Sequence, residues 1–177
     1  MVEDALRVAK IEADSCALQA KTAVPVAAAA APLVAAAAPA AVAPVVIHRE
    51  TYVLLTDTLF KFDRSGADDM LPGGLQRLAD VARRLKSYKS IQTLTVFGHT
   101  DRMGSDEYND KLSDARAKTV QAYLQSLGVK SETAVAQGKG KREPATRDCS
   151  STASREQQII CLQPDRRVTI EVTGAAK

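Results

Sequence analysis

From residue 49 onward the hydrophobic positions switch between an alternating and a helical spacing, and each switch predicts a new element. Residues 49–62, RETYVLLTDTLFKF, place Tyr52, Leu54, Leu59 and Phe62 in a β-branched and aromatic alternation that predicts a first strand. The turn-rich run DRSGADD ends it. Pro72 then falls in the first turn of a helix, where its missing N–H costs nothing. Leu71, Leu75, Leu78, Val81, Ala82 and Leu85 follow on one face of that helix. Residues 91–98, IQTLTVFG, predict a second strand, and the loop HTDRMGSD leads into a long helix from about Ser105 to Leu127, with Gly128 as its stop signal. The apolar face of this helix is Leu112, Ala115, Val120, Tyr123, Leu124 and Leu127. A shorter third strand is expected at 133–138 and a helical turn near Glu156–Leu162. The last strand, 166–173, turns Val168, Ile170 and Val172 inward. The order β-α-β-α-β-(α)-β predicts an α/β domain with helices packed on a sheet.

Upstream the pattern changes. Residues 3–21 read as a short polar helix with few apolar positions, either solvated or a small oligomerisation element. Residues 22–47 carry no charge and are long enough to span a bilayer. Pro25, Pro32, Pro39 and Pro44 interrupt that run, each at a cost of about 3 kcal/mol inside a helix. An Ala/Pro linker, partly polyproline II and reaching about 3.1 Å per residue, is the better reading. No signal peptide is visible at Met1, which precedes Glu3 and Asp4 rather than a basic start and an apolar stretch. The expected organisation is a polar segment at 1–21, a linker at 22–48, a folded domain at 49–174 and a tail at 175–177.

Composition narrows the function classes. The net charge of +3 comes from basic residues interspersed with acids, and aromatics are 4% with no Trp, which argues against nucleic-acid binding. With only His48 and His99, no zinc-type ligand spacing arises, and no metal or other cofactor is expected. The GKGKR run at 138–142 lacks the Walker A pattern. His99 and Asp101 with Ser105 or Ser113 are the residue types of a hydrolytic set, but no nucleophile elbow accompanies them, and an enzyme is not expected. Of the three cysteines, Cys149 and Cys161 flank one short polar segment while Cys16 lies far off. By spacing alone these two are equally a disulfide in an oxidising compartment or two free thiols.

The most informative stretch is 98–120, GHTDRMGSDEYNDKLSDARAKTV. A loop bearing Thr100 and Asp101 follows a strand, the favoured place for a ligand in α/β folds. Asn109, Leu112, Ser113 and Arg116 share one helix face that continues to Val120. A guanidinium on a partly apolar stripe needs a carboxylate. Asp101 could supply it and simply tie loop to helix. Alternatively a ligand carboxylate meets the Arg116 fork and Asp101 takes a ligand ammonium, together a clamp for a zwitterionic amino-acid head.

Further residues fall into a recognisable order: Leu59-Phe60-Lys61-Phe62-Asp63, Gly98-His99-Thr100-Asp101 with Gly104, then Asn109, Leu112-Ser113, Arg116-Ala117 and Val120, then Gly138 and Gly140, and finally Asp165-Arg166-Arg167-Val168. In this order and spacing they resemble the OmpA-like (OmpA/MotB/Pal) family of peptidoglycan-binding domains. The resemblance implies an α/β sandwich with helices on a small mixed sheet, in the periplasm and associated with the outer membrane. It implies non-covalent, non-enzymatic binding of the diaminopimelate residue of the stem peptide, anchoring the outer membrane or an envelope assembly to the wall. Asp101 would contact the diaminopimelate ammonium and Arg116 its carboxylate, with hydrogen bonds from Asn109 and Thr100. Arg166 or Arg167 would line the pocket, unless they form a sheet-end salt bridge to Asp165 or Glu171. The family likeness also implies a Cys149–Cys161 disulfide. Its opening is expected to lower stability more than affinity, because the pair is distant in sequence from the Asp101 loop. Nothing in this sequence supplies the eight alternating strands of a membrane barrel, so membrane contact is expected only through residues outside this chain. The rival reading is a protein–protein or self-association module of the envelope.

Overall fold

The computed structural model describes residues 47–176; the expectations for the polar segment, the linker and Cys16 lie outside them. Four strands form one sheet in the order β1-β4-β2-β3: β1 is Ile47–Leu55, β2 Tyr88–Gly98, β3 Thr133–Gly138 and β4 Arg167–Ala176. β4 runs antiparallel to both β1 and β2, and β2 runs parallel to β3, so the sheet is mixed. The helices are α1 (Thr56–Leu59), α2 (Pro72–Leu85), α3 (Asp106–Ser126) and α4 (Arg155–Cys161). The β2–α3–β3 unit supplies the parallel pair, since parallel neighbours need a crossover.

The core follows from the two periods. Val168, Ile170 and Val172 on β4, with Leu94 and Val96 on β2, are fully buried, and they meet Leu78, Val81 and Leu85 of α2 and Ala117, Val120 and Leu124 of α3. Full burial of each Val, Leu or Ile is worth about 1.5–3 kcal/mol, so this layer dominates stability. The intervening β4 residues Thr169, Glu171 and Thr173 take no part in it. Among the described residues no helix is long and apolar enough to cross a membrane.

The expected first strand differs most. β1 begins at Ile47 and ends at Leu55, after which Thr56–Leu59 turn into a helix. Leu59 is therefore a buried helical residue, and Phe62 sits in a turn at 95% exposure rather than on a strand. β4 continues through Ala175, paired with Ile47 on one side and Ser90 on the other, so the chain is still in the sheet where a tail was expected.

Candidate ligand-binding cleft

Because β4 is antiparallel to its neighbours, its N-terminus meets the C-terminal ends of β1 and β2. Backbone hydrogen bonds knit these ends together: Thr56 N to Arg166 O at 2.9 Å, His99 N to Arg167 O at 2.9 Å, Lys139 N to Gly98 O at 2.8 Å and Thr100 N to Gly140 O at 2.9 Å. This seam is the floor of a cleft of about 440 Å³. Asp57 on α1, Thr100 and Asp101 after β2, Asn109 and Arg116 on α3, and Arg166 before β4 all line it.

The loop between β2 and α3 is held by its own side chains. Asp101 Oδ1 accepts from Met103 N at 2.9 Å, an Asx turn. Gly104 follows with φ +87°, a conformation that favours glycine. Asn109 then donates from Nδ2 to Met103 O at 2.8 Å, and Ser105 caps α3 by accepting from Tyr108 N. α3 presses hard on the strand end: a Cβ at Gly98 would stand 2.1 Å from Ser113 O. Ser113 in turn accepts from Gly140 N at 3.0 Å, which ties the loop after β3 to the same helix.

Two guanidiniums face this floor in different states. Arg166 is saturated: its Nε and Nη2 donate to Asp57 at 3.0 and 2.7 Å, and its Nη1 donates to Asp101 Oδ2 at 3.0 Å and to Ile159 O at 3.1 Å. The hydrogen bonds it donates to Asp57, with help from Asp101, hold its pKa above the ordinary arginine value. Arg116, only 6% exposed, donates from Nε to Arg64 O at 2.9 Å and lies 5.7 Å from the Phe60 ring centroid. No carboxylate among the described residues comes within salt-bridge distance of it, and burial pushes its pKa down. The hydroxyls of Thr56 and Thr100, both buried, have no hydrogen-bond partner among the described residues. The cleft thus presents an unpaired buried cation, two carboxylates at its floor and two unsatisfied hydroxyls, a set suited to a ligand carrying both charges.

Thr100, Asp101, Asn109, Arg116 and Arg166 are brought together as the sequence implied. The suggested Asp101–Arg116 tie is replaced by Asp101–Arg166. Arg167 does not line the cleft; its guanidinium donates to the backbone carbonyls of Asp165 and Glu143. Arg166 closes the short 3-10 turn Gln163–Asp165 before the strand, whereas Arg167 is the first residue of β4. Asp165 and Glu171 take neither arginine in a salt bridge. Asp165 is buried and instead accepts from Ala145 N, Thr146 N and Thr146 Oγ1, each at 2.7 Å. Sequence reasoning missed Thr56 and Asp57, hidden in what read as a strand; the polar triplet Thr56-Asp57-Thr58 breaking an apolar run was the available signal. The helical turn expected near Glu156–Leu162 is α4, but its place at the cleft, where Arg155 and Ile159 form one wall, was not foreseen. Cys149 and Cys161 form a disulfide, with Cα atoms 5.8 Å apart, and α4 ends at Cys161. Among the described residues no cluster of His, Cys, Asp and Glu is placed to hold a metal ion.

The mixed four-stranded sheet and its helices define an α/β domain with a polar cleft at the joined strand ends. The chain belongs to the OmpA family, whose model matches residues 59–158. It is 39% identical over 127 residues to outer membrane protein A of Klebsiella aerogenes, covering 71% of this chain and 35% of that protein. It is also 39% identical over 130 residues to outer membrane protein A of Shimwellia blattae, covering 72% and 53%. The chain therefore spans between a third and about half of these relatives. Among solved structures, the peptidoglycan-associated lipoprotein from Burkholderia pseudomallei aligns with a TM-score of 0.50 at 25% identity, over 65% of this chain and 87% of the other. The cell wall anchor of the T6SS from Pseudomonas aeruginosa aligns with a TM-score of 0.52 at 25% identity, over 75% and 88%. The periplasmic domain of Helicobacter pylori MotB, at 19% identity and a TM-score of 0.53 over 71% and 83%, shares the fold.

Proposed function

We propose that this domain binds peptidoglycan without catalysis, through the diaminopimelate residue of the stem peptide, and that it anchors an outer-membrane or other envelope component to the wall from the periplasm. The observation that carries this reading is Arg116, a buried guanidinium with one backbone hydrogen bond and no carboxylate partner, opening onto a floor of carboxylates. A buried cation left unpaired is costly, and a ligand carboxylate meeting its planar fork would remove that cost. The ammonium of the same zwitterionic head would lie at Asp101, within reach of the Thr100 hydroxyl and of the Asn109 amide oxygen, which its own Nδ2–Met103 bond leaves free. Arg166 would flank the head while keeping Asp57 and Asp101 in place.

The relatives support the partner class: one similar structure is a peptidoglycan-associated lipoprotein and another a cell wall anchor. Affinity at one cleft need not be high, since several anchored copies on one polymer add avidity. The reading is tested by co-sedimentation with purified peptidoglycan sacculi. The parent chain is expected in the pellet, and Asp101→Ala and Arg116→Ala in the supernatant. Equal pelleting of all three would remove the clamp from the account and leave contacts with envelope proteins as the function to pursue.

A further inference from the structure

The helix α4 has seven residues and buries none of them. A helix that short is not stable alone in water, and packing supplies little here to hold it. Its restraints are local: Ser154 and Gln157 form a capping box, and Gln158 Nε2 reaches back to Ser151 O at 3.1 Å and Ala153 O at 2.8 Å. These bonds lie inside the loop that the Cys149–Cys161 disulfide closes. Buried Leu162 anchors the chain just after α4, and the covalent link ties the end of the helix to buried Cys149 as well. Yet α4 is a wall of the cleft, and its Ile159 carbonyl accepts from the same Arg166 nitrogen that bonds Asp101.

We infer that the disulfide-closed loop 149–161 is a positioning element for Arg166, and that the Cys149–Cys161 bond thereby sets the affinity of the cleft. This deepens the peptidoglycan-binding reading and rests on it for the effect on affinity, but not for the link between disulfide and Arg166. Nη1 of Arg166 bonds both to Asp101, the group that would take the ligand ammonium, and to the Ile159 carbonyl of α4. Opening the disulfide frees α4, removes the Ile159 acceptor and leaves that nitrogen restrained only by Asp101. Thiol–disulfide exchange with an external dithiol would do this, converting the pair to two thiols while the dithiol becomes a disulfide. Although the pair is distant in sequence from the Asp101 loop, α4 lines the same cleft.

Two measurements test it. In the ligand-free protein, hydrogen exchange of the Arg166 Nη1 protons, which bond Asp101 and the Ile159 carbonyl, is followed by NMR in the oxidised parent and in the double variant Cys149→Ser, Cys161→Ser. Protection is expected in the parent and its loss in the variant, with the amide spectrum of the sheet unchanged. Titration with a diaminopimelate stem peptide should then give affinity weakened in the variant by about tenfold, the scale of one charge-assisted hydrogen bond. In an Arg166→Lys background the same cysteine changes should alter affinity by no more than about twofold. Leu124→Ala, at the far end of α3, serves as a control that lowers the melting temperature and leaves affinity intact. Unchanged Arg166 protection, or an equal loss of affinity in the Arg166→Lys background, would overturn the inference. A protection difference with no binding by the oxidised parent would instead keep the coupling and reject the peptidoglycan reading.

Discussion

Replacing Arg116 with Met separates what the fold needs from what the ligand needs. The substitution removes the Nε–H bond to Arg64 O, 2.9 Å long, worth about 1.5–3 kcal/mol as a bond to a charged donor. It also removes the contact with the Phe60 ring, worth about 0.5–2 kcal/mol. Against these losses stands the cost of keeping a guanidinium 6% exposed with no carboxylate in salt-bridge range, several kcal/mol per ion. Met keeps the length of the stem and leaves the carbonyl of exposed Arg64 able to take water. The two sides nearly cancel, so unfolding free energy from urea titration should change by no more than about 1 kcal/mol in either direction. Binding to sacculi should be lost. That split marks a residue retained for a ligand rather than for stability. A loss of more than about 3 kcal/mol would refute the reasoning, because Arg116 would then be a structural tether of the 64–66 turn.

Three further outcomes follow from the geometry. Asp165→Ala strands two backbone amides and a hydroxyl that its carboxylate now satisfies, and the urea midpoint should fall by the equivalent of about 3 kcal/mol. Gly98→Ala drives a Cβ to 2.1 Å from Ser113 O, so either stability drops by about 3 kcal/mol or α3 shifts; in both cases sacculus binding should weaken, because Asn109 and Arg116 ride on that helix. Burial, aided by the charge of Arg167, lowers the His99 pKa to about 4, so the fold favours the neutral ring. Its contribution is complete above the unfolded value of about 6.5 and is lost as pH falls toward 4, a slope worth on the order of 3 kcal/mol that thermal melts should show in the parent and not in His99→Gln.

Elements with one clear period were legible in the sequence. Pro72–Leu85 and Thr133–Gly138 fall where the hydrophobic spacing places them, and Asp106–Ser126 differs from its expected ends by one residue. The first strand misled because the apolar positions continue through Leu59 while the backbone turns at Thr56, whose N–H is taken by Arg166 O from a strand far away in sequence. That long-range bond has no local signal. The cleft shows the same division. Asp101, Asn109 and Arg116 sit within one loop and helix, where spacing fixes their relation. The partner of Asp101 could not be read, because Arg166 approaches from a strand that only the sheet order brings alongside. Arg166 and Arg167 are neighbours across the point where β4 begins, and a shift of one residue in the strand start would exchange their roles.

The central claim is tested most directly by calorimetric titration of the purified chain with a soluble stem peptide carrying meso-diaminopimelate, beside the same peptide carrying lysine at that position. The lysine peptide keeps the side-chain ammonium and lacks the terminal carboxylate that Arg116 is proposed to take. Saturable binding of the diaminopimelate peptide, much weaker binding of the lysine peptide, and loss of the difference in Arg116→Met is the result predicted. Equal affinity for both peptides, or no binding of either by the folded chain, would contradict it.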